Sequence, residues 1–122
     1  MTRTAVLICP GRGTYNKAEL GYLARHHGDK SDLIAGFDAL RHAAGQTPVS
    51  ALDGAERFSV ATYSRGDVAS PLIYACALSD ARSLAADIEV VAVTGNSMGW
   101  YTALAAGGAL TPDDGFRVVN TM

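Results

Sequence analysis

The chain has 122 residues, 48% of them hydrophobic and 18% charged, with a formal net charge of −2 at pH 7. That is the composition of a single soluble globular domain with a modest core. Its basic residues are scattered rather than clustered, which argues against nucleic acid or an anionic membrane surface as a partner. No basic stretch leads an apolar signal segment, and no apolar run approaches the roughly 20 residues of a membrane helix, so a cytoplasmic protein is expected.

Thr4 to Cys9 is continuously apolar and is stopped by Pro10-Gly11-Arg12-Gly13, a pattern that predicts a strand buried on both faces and ending in a tight loop. Lys17 to His26 reads as a short helix carrying Leu20 and Leu23. A second helix is expected to open with Ser31 as its N-cap, to place Leu33, Ile34, Phe37, Leu40 and Ala44 on one face, and to stop at Gly45. From Thr47 to Asp67 no period stands out, and the segment reads as loop with room for one short helix.

Ser70-Pro71 has the form of an N-cap followed by a proline at the first helical position, predicting an apolar helix from there towards Leu84. Glu89 to Thr94 is the second strand signal, Gly95 to Gly99 a turn, and Trp100 to Ala106 a helix that Gly107-Gly108 ends. Thr111-Pro112-Asp113-Asp114 then opens a last helix, with Phe116, Val119 and Met122 at helical spacing. Cys9 and Cys76 lack C-x-x-C spacing and a histidine cluster, and read as buried thiols rather than a disulfide or metal site.

Strand, Gly95-Asn96-Ser97-Met98-Gly99 and helix together make the context in which G-x-S-x-G presents a nucleophilic serine. Taken alone the spacing is equally that of a small residue at a Gly-flanked turn. Gly11 and Gly13 match neither G-x-G-x-x-G nor G-K-[S/T], which sets dinucleotide and P-loop readings aside. Two strands make a small parallel sheet, so the chain is expected to be one piece of a longer domain.

Three segments, "CPGRGTY" (Cys9 to Tyr15), "ASPLIYACAL" (Ala69 to Leu78) and "GNSMGWYTALAAGGALT" (Gly95 to Thr111), carry a family likeness in their order and separation. They match F-P-G-Q-G-[S/A]-Q, T-Q-P-[A/S]-[I/L] and G-H-S-x-G-E-[Y/F]-[T/S]-A-L-x-x-A-G-[A/V]-[L/I]. The chain therefore resembles the N-terminal part of the malonyl-CoA:acyl carrier protein transacylases and the acyltransferase domains of fatty acid and polyketide synthases.

The resemblance implies an α/β fold, a parallel sheet with covering helices, forming the start of an α/β-hydrolase-like large subdomain. Thr4 to Cys9 and Glu89 to Thr94 would be adjacent parallel strands, with Pro10 to Gly13 facing Ser97 across their carboxyl ends. Residues 1–122 would then be the first portion of the acyltransferase domain, with its ferredoxin-like small subdomain and remainder following Met122. The implied reaction moves an acyl group from acyl-CoA to the phosphopantetheine thiol of acyl carrier protein through an acyl-serine at Ser97. Acyl-CoA enters as substrate, and no cofactor or metal is implied.

By the same resemblance the oxyanion hole consists of the Arg12 and Met98 amides, and Asn96 and Trp100 border the substrate. Asn96 replaces a family histidine, Trp100 a glutamate and Arg12 a glutamine. Met122 falls where malonyl-specific members carry an arginine, which opens the site to neutral acyl groups. The family's base is a histidine downstream of the serine. His26, His27 and His42 all lie upstream and read as helix-end or surface residues, so this stretch by itself is expected to be inactive. Two other readings remain: a serine esterase of α/β-hydrolase type, and a non-catalytic acyltransferase-like module that holds a carrier protein, which Asn96 and Trp100 favour.

Overall fold

A computed structural model describes residues 2–122. Two strands, β1 (Arg3–Cys9) and β2 (Ile88–Gly95), pair in parallel, with Cys9 opposite Gly95 at their carboxyl ends. Between them run α1 (Tyr22–His26), α2 (Ser31–Ala43), α3 (Val49–Asp53), α4 (Val60–Tyr63) and α5 (Gly66–Ala81). After β2 come α6 (Gly99–Ala106) and α7 (Pro112–Asn120). The architecture is mixed α/β, and no helix among the described residues is long and apolar enough to cross a membrane.

Its core lies between helices. Every residue of α5 from Val68 to Ala75 is buried, so this stretch of the helix has no solvent face. Phe37 of α2 stacks on Phe116 of α7 with ring centroids 4.6 Å apart, and Tyr74 of α5 meets both rings edge-on. The Tyr74 hydroxyl donates to the Pro112 carbonyl at 2.6 Å, joining α5 to the start of α7. Fully burying a side chain such as Phe37 or Leu72 is worth about 1.5–3 kcal/mol, so this junction stabilises much of the fold.

Several expectations are corrected. The first strand is not buried on both faces: Val6 is 55% and Ile8 74% exposed, and Val91 of β2 is 59% exposed. Among the described elements the sheet has two strands, with α6 packed on it, leaving those side chains uncovered. Lys17 to His26 is not one helix. A 3-10 turn over Lys17–Glu19 is separated from α1 by Gly21 at φ 86°, a left-handed conformation that ends the first winding.

Ser31 is the first residue of α2 rather than its cap, because a 3-10 turn over Gly28–Lys30 leads straight into the helix. Residues 47–67 hold two short helices, α3 and α4, which deliver Val49, Leu52 and Tyr63 to the core. At five and four residues they are too short to show a period.

The largest shift concerns α5, which begins at Gly66 and carries Ser70-Pro71 inside it. Proline has no N–H to give the carbonyl four residues back, which is that of Asp67. The buried guanidinium of Arg41 takes that place, donating from Nη1 to Asp67 O at 2.6 Å. Its other bonds reach the Thr47 carbonyl at 2.8 Å and Asn120 Oδ1 at 2.9 Å, so one side chain joins α2, α5 and α7. At the last helix the N-cap expectation holds: Thr111 Oγ1 accepts from the Asp114 amide at 3.1 Å, although α7 ends at Asn120 and Met122 is exposed.

Candidate functional site

The link from β2 to α6 is Asn96, Ser97 and Met98. Ser97 has φ 56°, alone among the described non-glycine residues in being positive. A left-handed serine costs about 1–2 kcal/mol, so surrounding packing must enforce it. Two glycines supply that packing. A β-carbon on Gly95 would overlap the backbone of Gly99, and one on Gly99 would overlap the carbonyl of Cys9. The turn therefore closes backbone on backbone, and the Asn96 amide donates to Cys9 O at 3.0 Å to hold it against the end of β1.

The loop after β1 closes over the same point. A β-carbon on Gly11 would lie 2.8 Å from Asn96 O and 3.1 Å from Ser97 Cβ. Thr14 Oγ1 donates to the Gly11 carbonyl at 3.1 Å and Asn16 Nδ2 to the Gly13 carbonyl at 2.9 Å, so side chains hold the loop by its carbonyls. Among the described residues, the Arg12 and Met98 amides donate to no backbone carbonyl in a turn or loop, whereas the Gly99, Trp100 and Tyr101 amides bond back to Asn96, Ser97 and Met98. The same holds of the Gly11, Gly13 and Ser97 amides, and Ser97 is itself solvent-exposed.

Asn96 is exposed beside the serine, Met98 is buried at 3% beneath it, and Trp100 is 57% exposed on the first turn of α6. Tyr101 and Leu104 lie exposed on the same helix, so Trp100 is surface rather than core. The strand, loop and turn thus bring Arg12, Asn96, Ser97, Met98 and Trp100 to one end of the sheet.

Comparison with protein-family models and with curated proteins returns no match.

The histidines lie elsewhere. His27 is buried, its Nε2 2.7 Å from Asp80 Oδ1 and its Nδ1 3.4 Å from Ser83 Oγ. This has the order of a serine, histidine and carboxylate, but Ser83 donates its hydroxyl proton to the Ser79 carbonyl at 2.9 Å. The group sits at the carbonyl end of α5, where an oxyanion meets the wrong dipole. It is a pin between α1 and α5, reinforced by Tyr22, whose hydroxyl donates to Asp80. Burial, with Asp80 adding to it, pushes the Tyr22 hydroxyl up to about 12. His26 packs on the Tyr22 ring with centroids 4.7 Å apart, and His42 is exposed on α2.

Two cavities border the loop after β1. One, of about 290 Å³, lies between β1 and α5 and is lined by both cysteines, Ile8, Ile73 and Leu84. Burial raises the pKa of both thiols, with the nearby carboxylates of Asp53, Asp80 and Glu19 adding to the effect at Cys76. Cys9 is buried and Cys76 half-buried, and both are free.

The other cleft, of about 300 Å³, is walled by Arg12 and Gly13 and floored by Tyr15, Phe58 and Tyr63. These rings stack on Tyr63 at 5.9 Å for Tyr15 and 4.9 Å for Phe58. Tyr15 donates to the buried carboxylate of Asp53 at 2.6 Å, which fixes the end of the loop on α3. Sequence reading missed Asp53, Asp80 and the aromatic floor, since their partners lie more than 35 residues away or in the segment without a period.

Proposed function

We propose that the chain is an acyltransferase module in which Ser97 accepts an acyl group from acyl-CoA and passes it to the phosphopantetheine thiol of acyl carrier protein. The observation that carries this is the left-handed Ser97 with Gly11 pressed against it. A left-handed serine at the end of a strand and ahead of a helix supports this reading. The Arg12 and Met98 amides would receive the negative charge on the thioester oxygen. Attack joins Ser97 Oγ to the acyl carbon and breaks its bond to sulfur, while a base takes the serine proton and returns it to the departing thiolate, so that coenzyme A leaves as its thiol. The carrier thiol then reverses the sequence.

In this reading the sheet belongs to an α/β-hydrolase-like large subdomain working in the cytoplasm, and Asn96 and Trp100 border the substrate. The left-handed Ser97 between a strand and a helix also suits a serine esterase, in which water replaces the carrier thiol. The exposed Trp100, Tyr101 and Leu104 favour a second reading, a module that docks the carrier protein without catalysis.

No histidine among the described residues is hydrogen-bonded to Ser97, so the test supplies a base from solution. Incubation with acyl-CoA and imidazole should give an intact-mass adduct on Ser97 that grows with imidazole and is absent in Ser97→Ala. Release of that adduct to pantetheine in preference to water separates transferase from esterase. If no Ser97-dependent adduct forms at any imidazole concentration, the docking module is the better reading.

A further inference from the structure

The loop after β1, residues 10–16, meets the serine at Gly11, and its own hydrogen bonds do not explain why it lies there. Thr14 Oγ1 donates to the Gly11 carbonyl and Asn16 Nδ2 to the Gly13 carbonyl, both within the loop. Such bonds stiffen a loop without placing it. Among the described residues one hydrogen bond leaves residues 10–16 for a distant segment, and it runs from the Tyr15 hydroxyl to Asp53 Oδ1, 38 residues away, at 2.6 Å. The position of the loop therefore depends on that carboxylate.

Asp53 is built as an anchor. It is 2% exposed at the end of α3 and forms no ion pair among the described residues. A carboxylate buried without a cation is costly unless donors reach it, and Tyr15 is the short one, with the Ala24 amide at 3.4 Å. The Asp53 carbonyl accepts from the Gly21 amide at 2.8 Å, and the carbonyl of Leu52 beside it accepts from the Tyr63 hydroxyl at 2.6 Å. Tyr63 in turn stacks on Tyr15, so the end of α3 fixes both rings. Tyr15 is buried and lines both cavities, standing as the partition between them. Burial, with the Asp53 bond adding to it, raises the pKa of the phenol, which keeps the proton it donates.

We infer that Asp53 is a positioning residue for the serine turn: through Tyr15 it holds the loop after β1 in the place from which Gly11 bears on Ser97. Its effect on chemistry rests on reading Ser97 as the acyl acceptor. Asp53 touches no substrate in this account and acts by keeping loop and turn in register. That matters because a shift of about 1 Å at a reacting centre, caused from a distance, can cost about 100-fold in rate.

Three variants separate placing from folding. Tyr15→Phe keeps the ring and removes the hydroxyl, Asp53→Ala removes the acceptor, and Asp53→Asn keeps an acceptor oxygen of the same shape. Phe116→Leu, in the core between α2 and α7, serves as the control for lost stability alone. Two quantities are read: the imidazole-assisted acylation of Ser97, as maximal rate and half-saturating acyl-CoA concentration, and the NMR cross-relaxation between the Gly11 α-protons and the Ser97 β-protons. In Tyr15→Phe and Asp53→Ala the maximal rate should fall about 10-fold at an unchanged half-saturating concentration, and the cross-relaxation should weaken. Asp53→Asn should recover most of both. Phe116→Leu should lower the melting temperature and change neither. Tyr15→Phe decides the matter should Asp53→Ala fail to fold. A rate that merely follows melting temperature across the four variants would overturn the inference, as would full cross-relaxation in Tyr15→Phe. If Ser97 of the unmodified chain takes no acyl group, the acyl-serine reading fails, and the cross-relaxation alone then decides whether Asp53 places the loop.

Discussion

Gly11 stands so close to Ser97 that a β-carbon on the glycine would lie 3.1 Å from the β-carbon of the serine, and 2.8 Å from the Asn96 carbonyl oxygen. Gly11 is not among the residues with positive φ, so an alanine there meets a steric conflict and no backbone penalty. Gly11→Ala should therefore push the loop away from the turn at a stability cost of about 1 kcal/mol. The imidazole-assisted acylation rate of Ser97 should fall at least about tenfold, since a misplaced oxyanion donor costs more than that. Unchanged acylation would mean that the loop has no part in the reaction.

The strain at Ser97 is separable from its chemistry. Both Ser97→Gly and Ser97→Ala remove the hydroxyl, but only glycine is at ease at φ 56°. Urea unfolding should find the glycine variant more stable than the alanine variant by about 1 kcal/mol. Equal stabilities would show that the turn stores no strain.

Arg41 and Pro71 should be thermodynamically coupled. Removing the guanidinium in Arg41→Met leaves the carbonyls of Asp67 and Thr47 without its bonds, at about 1–3 kcal/mol for each group left unsatisfied. Pro71→Ala restores an amide aimed at the Asp67 carbonyl. The alanine should therefore help more in the Arg41→Met background than in the parent, by about 1 kcal/mol in a double-mutant cycle. An additive cycle would show that the arginine does not stand in for the missing amide.

The thiols set a pH dependence. Burial raises the pKa of Cys9 and Cys76, so the folded chain keeps these protons to higher pH than the unfolded chain. Their contribution to stability is complete below the unfolded thiol value and declines as pH rises past it. The urea midpoint should begin to fall between about pH 8.5 and 10, and less steeply in Cys76→Ala. Native thiols should also react with a disulfide reagent far more slowly than unfolded ones. Fast labelling of both cysteines in the native chain at pH 8 would contradict their burial.

The elbow was legible in the sequence because its requirements are local. Gly95 and Gly99 bracket a serine between a strand and a helix, and the backbone crowding that demands both glycines spans only a few residues. Thr111 and Pro112 announced α7 for the same reason, a cap and its target being three residues apart. The Gly11 loop was legible as punctuation, and the parallel pairing of β1 with β2 then brought it to the serine.

By itself, then, the sequence determined the α/β class, the two strands, and a serine at a tight turn, all of which follow from periods and from glycine and proline at short range. Only the tertiary structure decided the rest. Pro71 sits inside α5 because an arginine 30 residues earlier accepts the role of its missing amide. His27 is held by Asp80 and Ser83 and not by Ser97, and the ring floor beside Arg12 is assembled from Tyr15, Phe58 and Tyr63. Val6 and Ile8 look like core in one dimension and are exposed in three. The physical reason is common to these cases: periodicity records what a residue is suited to, whereas burial and bonding depend on which distant segments reach it.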